Sequence, residues 1–259
     1  MLFMNHNSKK LPKISCYCCT FARPRVLEEA LFSFLKQDYQ GEKELIILND
    51  CEEQNIIYEH PQVKIFNFKK RITPLGEKFN QSVSLCTGDI FMPWEDDDIY
   101  LPWRMTTTLR YMHDGLFHTT QGIFEEDFKK LIFSNNVFHC NLAITRENWE
   151  KVGGYLNIDK GSIDCSLLSK ITEVIKNPSV EIKKKEIFYV YRWSQTGSYH
   201  ASGIAPYETC DFAKETNSII ENQKKENKFE IGDIILKPHY KYNYLKFVKQ
   251  LFNEANPSL

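Results

Sequence analysis

Apolar and polar positions along this chain follow two periods, and where the period changes the predicted element changes with it. Ile14 to Cys19 carries no charge and reads as a buried strand. After Pro24, the residues Val26, Leu27, Ala30, Leu31, Phe34 and Leu35 return to one face at helical spacing, which predicts a helix to about Gln37. Proline suits the first helical position, and Glu28 and Glu29 suit the positive end of the helix dipole. Leu45 to Leu48 and Val63 to Phe68 read as two further strands, the first bounded by charge and by Asn49-Asp50 as a buried parallel strand would be. Leu75, Phe79, Val83 and Cys86 again repeat at helical spacing, with Gly88 expected as a left-handed cap and Asp89 to Trp94 as the fourth strand.

This order of elements predicts an α/β fold with a mainly parallel sheet and right-handed crossovers. Ligands of such sheets bind beyond the carboxyl ends of the strands. Further on, residues 102–112 read as a helix, 122–148 as strands with a connecting loop, 163–175 as a helix, 187–193 as a strand and 206–226 as a helix. Tyr244, Leu245, Val248, Leu251 and Phe252 form a last apolar stripe between Lys246 and Lys249, expected to lie on the main domain rather than on a membrane. The expected division is a domain over 1–205, with a nucleotide-binding half at about 13–100 and an acceptor half at about 101–205. A helical extension over 206–259 follows.

Composition narrows the class. With 259 residues, 42% hydrophobic and 26% charged, the chain can bury a substantial core. Its 33 basic and 34 acidic residues nearly cancel, so no global field attracts nucleic acid, and no nucleic-acid partner is expected. Cys16, Cys18, Cys19, Cys86 and Cys140 fall in apolar, β-branched or aromatic runs, as buried free thiols do, which points to a reducing compartment. Cys16 and Cys19 spell C-x-x-C without a second pair at zinc-site spacing. Met1 to Lys13 makes a poor signal peptide, and no window approaches the roughly 20 apolar residues of a membrane span. The expectation is a cytoplasmic protein, soluble or peripherally associated with a membrane.

The candidate chemistry lies in Phe91-Met-Pro-Trp-Glu95-Asp96-Asp97-Asp98-Ile-Tyr-Leu-Pro102, where four consecutive carboxylates follow an apolar strand. Adjacent like charges oppose folding unless a cation or solvent relieves them. Clustered carboxylate oxygens at a strand end fit a hard divalent ion that also touches phosphate, although a solvated acidic loop has the same composition.

Thr20-Phe-Ala-Arg23-Pro24, Asn49-Asp50 and the acidic cluster would converge on one edge of the sheet. Over residues 13–203 the chain thereby resembles the family-2 glycosyltransferases of the GT-A fold. Those proteins carry a Thr-x-x-Arg-Pro-like turn, an Asp-Asp-like pair after the second strand, and a DXD motif followed by Ile-Tyr-x-Pro. The resemblance implies that Asp50 accepts a hydrogen bond from the donor's base, uracil, and that Thr20 and Arg23 line the same pocket; Asp50 capping a turn is the alternative. Arg71 and Lys78 are implied to face the base or the diphosphate. Both Glu95-x-Asp97 and Asp96-x-Asp98 spell acid-x-acid. In the favoured second register Asp96 binds the ribose and Asp98 the metal, Mn2+ or Mg2+, with Asp97 in reserve. Trp149-Glu-Lys-Val-Gly153-Gly154-Tyr155 resembles the family's Gly-Gly-aromatic turn, and Asp164 keeps the position of its catalytic base; the preceding Glu of the family is replaced by Ile163. Asp159 is a second candidate for the base. Tyr191-Arg192-Trp193 and Gly197 to Ser202 resemble the segment whose histidine, here His200, binds metal or diphosphate.

The function so implied is inverting, metal-dependent transfer of a single sugar from a UDP-sugar to a saccharide or other hydroxyl acceptor, because the Gln-x-x-Arg-Trp box of processive synthases is absent. A silent nucleotide-sugar-binding domain is the alternative from another class. A sugar nucleotidyltransferase would need a Gly-rich, basic phosphate loop after the first strand, which is missing.

Overall fold

The first strand, β1 (Ile14–Thr20), divides the interior in two. Its successive side chains point to opposite faces of the sheet, as in any strand. Ile14, Cys16 and Cys18 join one apolar cluster, and Tyr17 and Cys19 join the other. The paired thiols of the C-x-x-C therefore face opposite ways and cannot share a metal. Burial pushes both up to about 12. The computed structural model describes residues 10–126, 130–158, 163–176, 179–193 and 212–254.

Beside β1 lie β2 (Lys43–Asn49), β4 (Val63–Asn67) and β5 (Ile90–Pro93), all parallel to it, with β3 (Gln54–Ile57) between β2 and β4 in the chain. Helix α1 (Pro24–Leu35) covers one face through Leu27, Ala30, Leu31 and Phe34, all 0% exposed. Helix α2 (Leu75–Ser84) covers the other through Phe79 and Val83. Each large apolar side chain so buried stabilises the fold by about 1.5–3 kcal/mol.

The chain continues through β6 (Ile99–Tyr100), α3 (Arg104–Tyr111), β7 (Leu116–Phe117), β8 (Gln121–Glu126) and β9 (Lys130–Asn135). A 3-10 turn at His139–Asn141, β10 (Ala143–Thr145), α4 (Arg146–Val152), α5 (Ile163–Ile175) and β11 (Tyr189–Trp193) follow. The main sheet runs β4-β2-β1-β5-β10-β7, and its last two strands are antiparallel to their neighbours. A second sheet runs β6-β11-β8-β9, so the acidic segment between β5 and β6 is the link from one sheet to the other. This is the α/β architecture with a mainly parallel central sheet that the sequence pattern predicts.

Several local expectations are corrected. Gly88 does not cap α2 in a left-handed conformation: the helix ends at Ser84 with Leu85 as its cap. Gly88 is instead a point of close approach, where a Cβ would stand 2.6 Å from Ser15 Oγ and 2.7 Å from the Lys13 carbonyl. Glu28 and Glu29 lie beyond the first turn of α1, buried and turned to other partners. The C-terminal extension is not purely helical. Between α6 (Phe212–Lys225) and α7 (Tyr244–Glu254) it forms β12 (Gly232–Ile235), which pairs in parallel with β3. Helix α7 packs on the main body through Tyr244 and Val248, 1% and 0% exposed. No helix among the described residues is long and apolar enough to cross a membrane.

Candidate active site

Register brings the expected segments together. Thr20 pairs with Asn49 at the carboxyl ends of β1 and β2, and the Trp94 amide donates to the Tyr17 carbonyl at 2.8 Å. The turns after β1, β2 and β5 thus meet at one edge, as parallel sheets of this kind require.

The acidic turn is held from several sides. Trp94 is 1% exposed, donates its indole N–H to the Ala30 carbonyl at 2.9 Å and packs edge-on to Phe34. Arg104, also buried, donates to the Pro93 and Cys140 carbonyls and lies over the Tyr100 ring at 4.2 Å. The Tyr100 hydroxyl accepts from the Glu95 amide at 2.8 Å, fixing where the carboxylates begin.

Each carboxylate then has its own surroundings. Asp96 is 0% exposed, accepts from Thr20 Oγ1 at 2.6 Å and pairs with Arg23 at 2.5 Å. Arg23 also pairs with Asp97 at 2.8 Å. Its backbone approach is set by Ala22, which takes a left-handed φ of 60°. Burial opposes the Arg23 charge, but the two carboxylates more than offset this and hold its pKa above the ordinary value. Burial raises Asp96 despite Arg23. One guanidinium therefore relieves two of the four acids.

Asp98 is engaged by β11. It is 0% exposed, its Oδ2 accepts from the Tyr189 hydroxyl at 2.5 Å, and its Oδ1 accepts from the Arg192 amide at 2.9 Å. Both oxygens are turned to β11. The reason is the β5 to β6 link: Asp98 is the last residue before β6 and must face the strand that β6 pairs with.

Asp50 is buried, accepts from Lys78 Nζ at 2.6 Å and from the Ile72 amide at 2.9 Å, and lies 3.4 Å from Arg71. Lys78 also donates to the Thr20 carbonyl at 2.8 Å, joining the first and second turns. Arg71 stacks on Phe21, 3.3 Å above the ring centre. Thr20, Arg23, Asp50, Arg71, Lys78, Asp96 and Asp97 thus form one connected cluster.

Asp164 stands in the first turn of α5 with its side chain 38% exposed, and its Oδ1 is 3.8 Å from His139 Nδ1. That nitrogen is 3.4 Å from Glu95, so His139 lies between the acidic turn and Asp164. No motif marks His139; the only signal was an ionisable residue inside the apolar run Val137 to Ile144. His200 and Asp159 lie outside the described residues.

Among the described residues, Glu95, His139 and Cys140 present ligand atoms within 4.8 Å of one another. Burial pushes the Cys140 thiol well above its usual range, so it stays protonated and is a poor ligand for a hard ion. The carboxylate oxygens of the acidic turn fit such an ion by their chemistry.

Comparison with known proteins follows the same lines. The structure of S. aureus TarS 1-349 is similar at 11% identity and a TM-score of 0.52, over 70% of this chain and 60% of that one. TarS 1-349 in complex with UDP-GlcNAc aligns over 84% of this chain and 73% of that one, at 11% identity and a TM-score of 0.53. The mannosyltransferase PcManGT from Pyrobaculum calidifontis, in complex with GDP-Man and Mn2+, aligns over 96% of this chain and 70% of that one, at 14% identity and a TM-score of 0.52. The chain spans 60% of the TarS 1-349 structure, and at these identities the likeness is one of fold, the GT-A fold. No curated protein matches by sequence. The sequence profile described as "Glycosyl transferase family 2" matches residues 15–152. Because that match takes in more than half of the 259 residues, the chain belongs to glycosyl transferase family 2.

Proposed function

We propose that this protein transfers a single sugar, with inversion, from a nucleotide-sugar donor to a hydroxyl acceptor such as a saccharide, with help from a divalent cation. The observation that carries the reading is the placement of a half-buried carboxylate, Asp164, across His139 from the acidic turn. One carboxylate group is thereby set to handle protons while others hold charge.

Asp50, Arg71 and Lys78 bind the nucleoside, with Asp50 receiving an N–H of the base, uracil in the simplest case. Thr20 and Arg23 place the ribose and diphosphate end, next to Asp96. Asp97, in the register Glu95-x-Asp97, would hold the cation beside its contact with Arg23, since both Asp98 oxygens are engaged by β11. When bound, Mn2+ or Mg2+ offsets the charge that develops on the departing diphosphate. Asp164 takes the acceptor hydroxyl's proton as that oxygen attacks the anomeric carbon from the face opposite the diphosphate. The new glycosidic bond forms as the bond to phosphate breaks, and configuration inverts. Such general-base help contributes about 100- to 10,000-fold.

The test is calorimetry of UDP and GDP with Mn2+ and with chelator, followed by nucleotide release from UDP- and GDP-sugars in water. Chelation should weaken nucleotide binding at least about tenfold, and Asp97→Asn should reproduce that loss. Asp164→Asn should slow nucleotide release by about 100-fold while leaving affinity intact. Equal affinity with and without the cation would overturn metal assistance. Tight binding with no turnover of any donor would instead identify a silent nucleotide-sugar-binding domain.

A further inference from the structure

His139 belongs to none of the motifs that mark this family in the sequence, yet it is the group that joins the acidic turn to Asp164. Its side chain is 1% exposed. On one side its Nε2 is hydrogen-bonded to the Tyr155 hydroxyl, which is itself 2.7 Å from the Tyr17 hydroxyl on β1. Phe79 lies flat on Tyr155, with ring centres 4.7 Å apart, and meets the His139 ring edge-on. The imidazole is thus gripped from behind by the sheet and by α2.

On the other side, Nδ1 faces Glu95 Oε1 at 3.4 Å and Asp164 Oδ1 at 3.8 Å. Among the described residues no atom completes a well-formed hydrogen bond to it, although it is buried. The tautomer follows from electrostatics. A lone pair on Nδ1 would face two carboxylates, so the proton resides there, whether Nε2 accepts from Tyr155 or also carries a proton. Burial works against a charged ring, but Asp164 and Glu95 outweigh it and hold the imidazole pKa above its ordinary value.

We propose that His139 is a positioning residue for the proposed base: anchored by Tyr155, its Nδ1–H fixes the Asp164 carboxylate relative to the acidic turn that holds the donor. The inference rests on the role of Asp164 given above. Distances of 3.4 and 3.8 Å are long for hydrogen bonds, and a contraction of a few tenths of an ångström when substrates fill the site would close one of them. Without the clamp, the Asp164 side chain, 38% exposed, samples rotamers that point away from the acceptor. A misplacement of about 1 Å costs on the order of 100-fold in rate.

The experiment compares two substitutions of similar size in the hydrolysis of whichever UDP- or GDP-sugar is turned over. His139→Asn retains an amide donor near the place of Nδ1, whereas His139→Gln places its amide near Nε2. The expected result is a 10- to 100-fold loss of kcat in His139→Gln, a smaller loss in His139→Asn, and unchanged nucleotide affinity in both. In the double variant with Asp164→Asn, His139→Gln should add nothing, because the two residues act as one unit. Losses that multiply, equal losses in the two His139 variants, or a parental kcat in His139→Gln would each overturn the positioning role. A parental rate in Asp164→Asn alone would overturn the assignment of the base and this inference with it. If His139→Gln does not fold, Tyr155→Phe removes only the hydroxyl that anchors Nε2, and it should lower kcat in the same direction; an unchanged kcat there overturns the proposal.

Discussion

Asp98 and Asp97 are neighbours in different surroundings, and the proposed function gives them different duties. A carboxylate at 0% exposure is tolerated only when its oxygens receive strong hydrogen bonds, and Asp98 receives them from the Tyr189 hydroxyl and the Arg192 amide. In Asp98→Asn one of those two donors would meet an amide NH2 instead of an oxygen. The expected cost is about 2–3 kcal/mol of stability, seen as a lower midpoint in urea unfolding. Asp97, itself 4% exposed, pairs with the part-exposed Arg23, and Asp97→Asn can keep an amide oxygen toward that guanidinium, so it should lose cation-dependent nucleotide binding and cost less stability than Asp98→Asn. The reverse pattern would restore the metal to Asp98.

At the scale of elements, the last helix shows how an amphipathic pattern acquires its partner. In α7, Tyr244 and Val248 are buried, Phe252 stacks on Phe133 of β9 with ring centres 5.8 Å apart, and only Phe247, 44% exposed, leaves a large apolar surface to solvent. Lys241, just before the helix, donates its amide to Glu29 of α1 at 2.8 Å. Removing residues 238–259 therefore strips apolar contacts worth about 1.5–3 kcal/mol for each fully buried side chain and leaves one oxygen of Glu29 without this donor. The truncated chain should melt at least about 5 °C lower in a thermal scan. An unchanged melting temperature together with lost liposome binding would show that the stripe serves a membrane surface instead.

Across the whole molecule, one buried ionic chain ties the acidic turn to both sheets and to the C-terminal segment. Arg192 on β11 pairs with Glu29 at 2.5 Å and donates to the Asp97 carbonyl, and its amide serves Asp98. Glu125 on β8 lies in the same neighbourhood, with Tyr244, Glu29 and Asp98 around it; burial pushes its carboxyl up to about 7, against the opposing pull of Arg192. The sign of the effect is set by the difference from the ordinary value of 4.5. Between those values the unfolded chain has released this proton and the folded chain still holds it, so stability falls as pH rises from about 4.5 to about 7. Glu125→Gln removes that loss. Its unfolding free energy should exceed the parent's by more at pH 8 than at pH 5, with a difference approaching about 3 kcal/mol. A gap that does not widen with pH would mean that Glu125 is already ionised in the folded protein.

The central parallel strands and the two helices flanking their sheet were legible in the sequence because the face an element buries is written in its own periodicity: Leu27, Ala30, Leu31 and Phe34 needed no distant partner to announce a covered face. The motif-bearing turns were legible for the same reason, since parallel strands bring their carboxyl ends together whatever the rest of the chain does. The roles inside the site were not. Which of four adjacent acids is drawn to β11 depends on Tyr189, 91 positions from the Asp98 it binds. His139 gained its place from Tyr155 and Tyr17, 16 and 138 positions apart from their respective partners. Gly88 looked like a helix cap by position, but its true constraint is the approach of Lys13 and Ser15 at the start of β1. Local pattern reports what a residue does to its own element. The partner that turns a carboxylate into a ligand, a base or a buried strut arrives from elsewhere in the chain, and packing alone selects it.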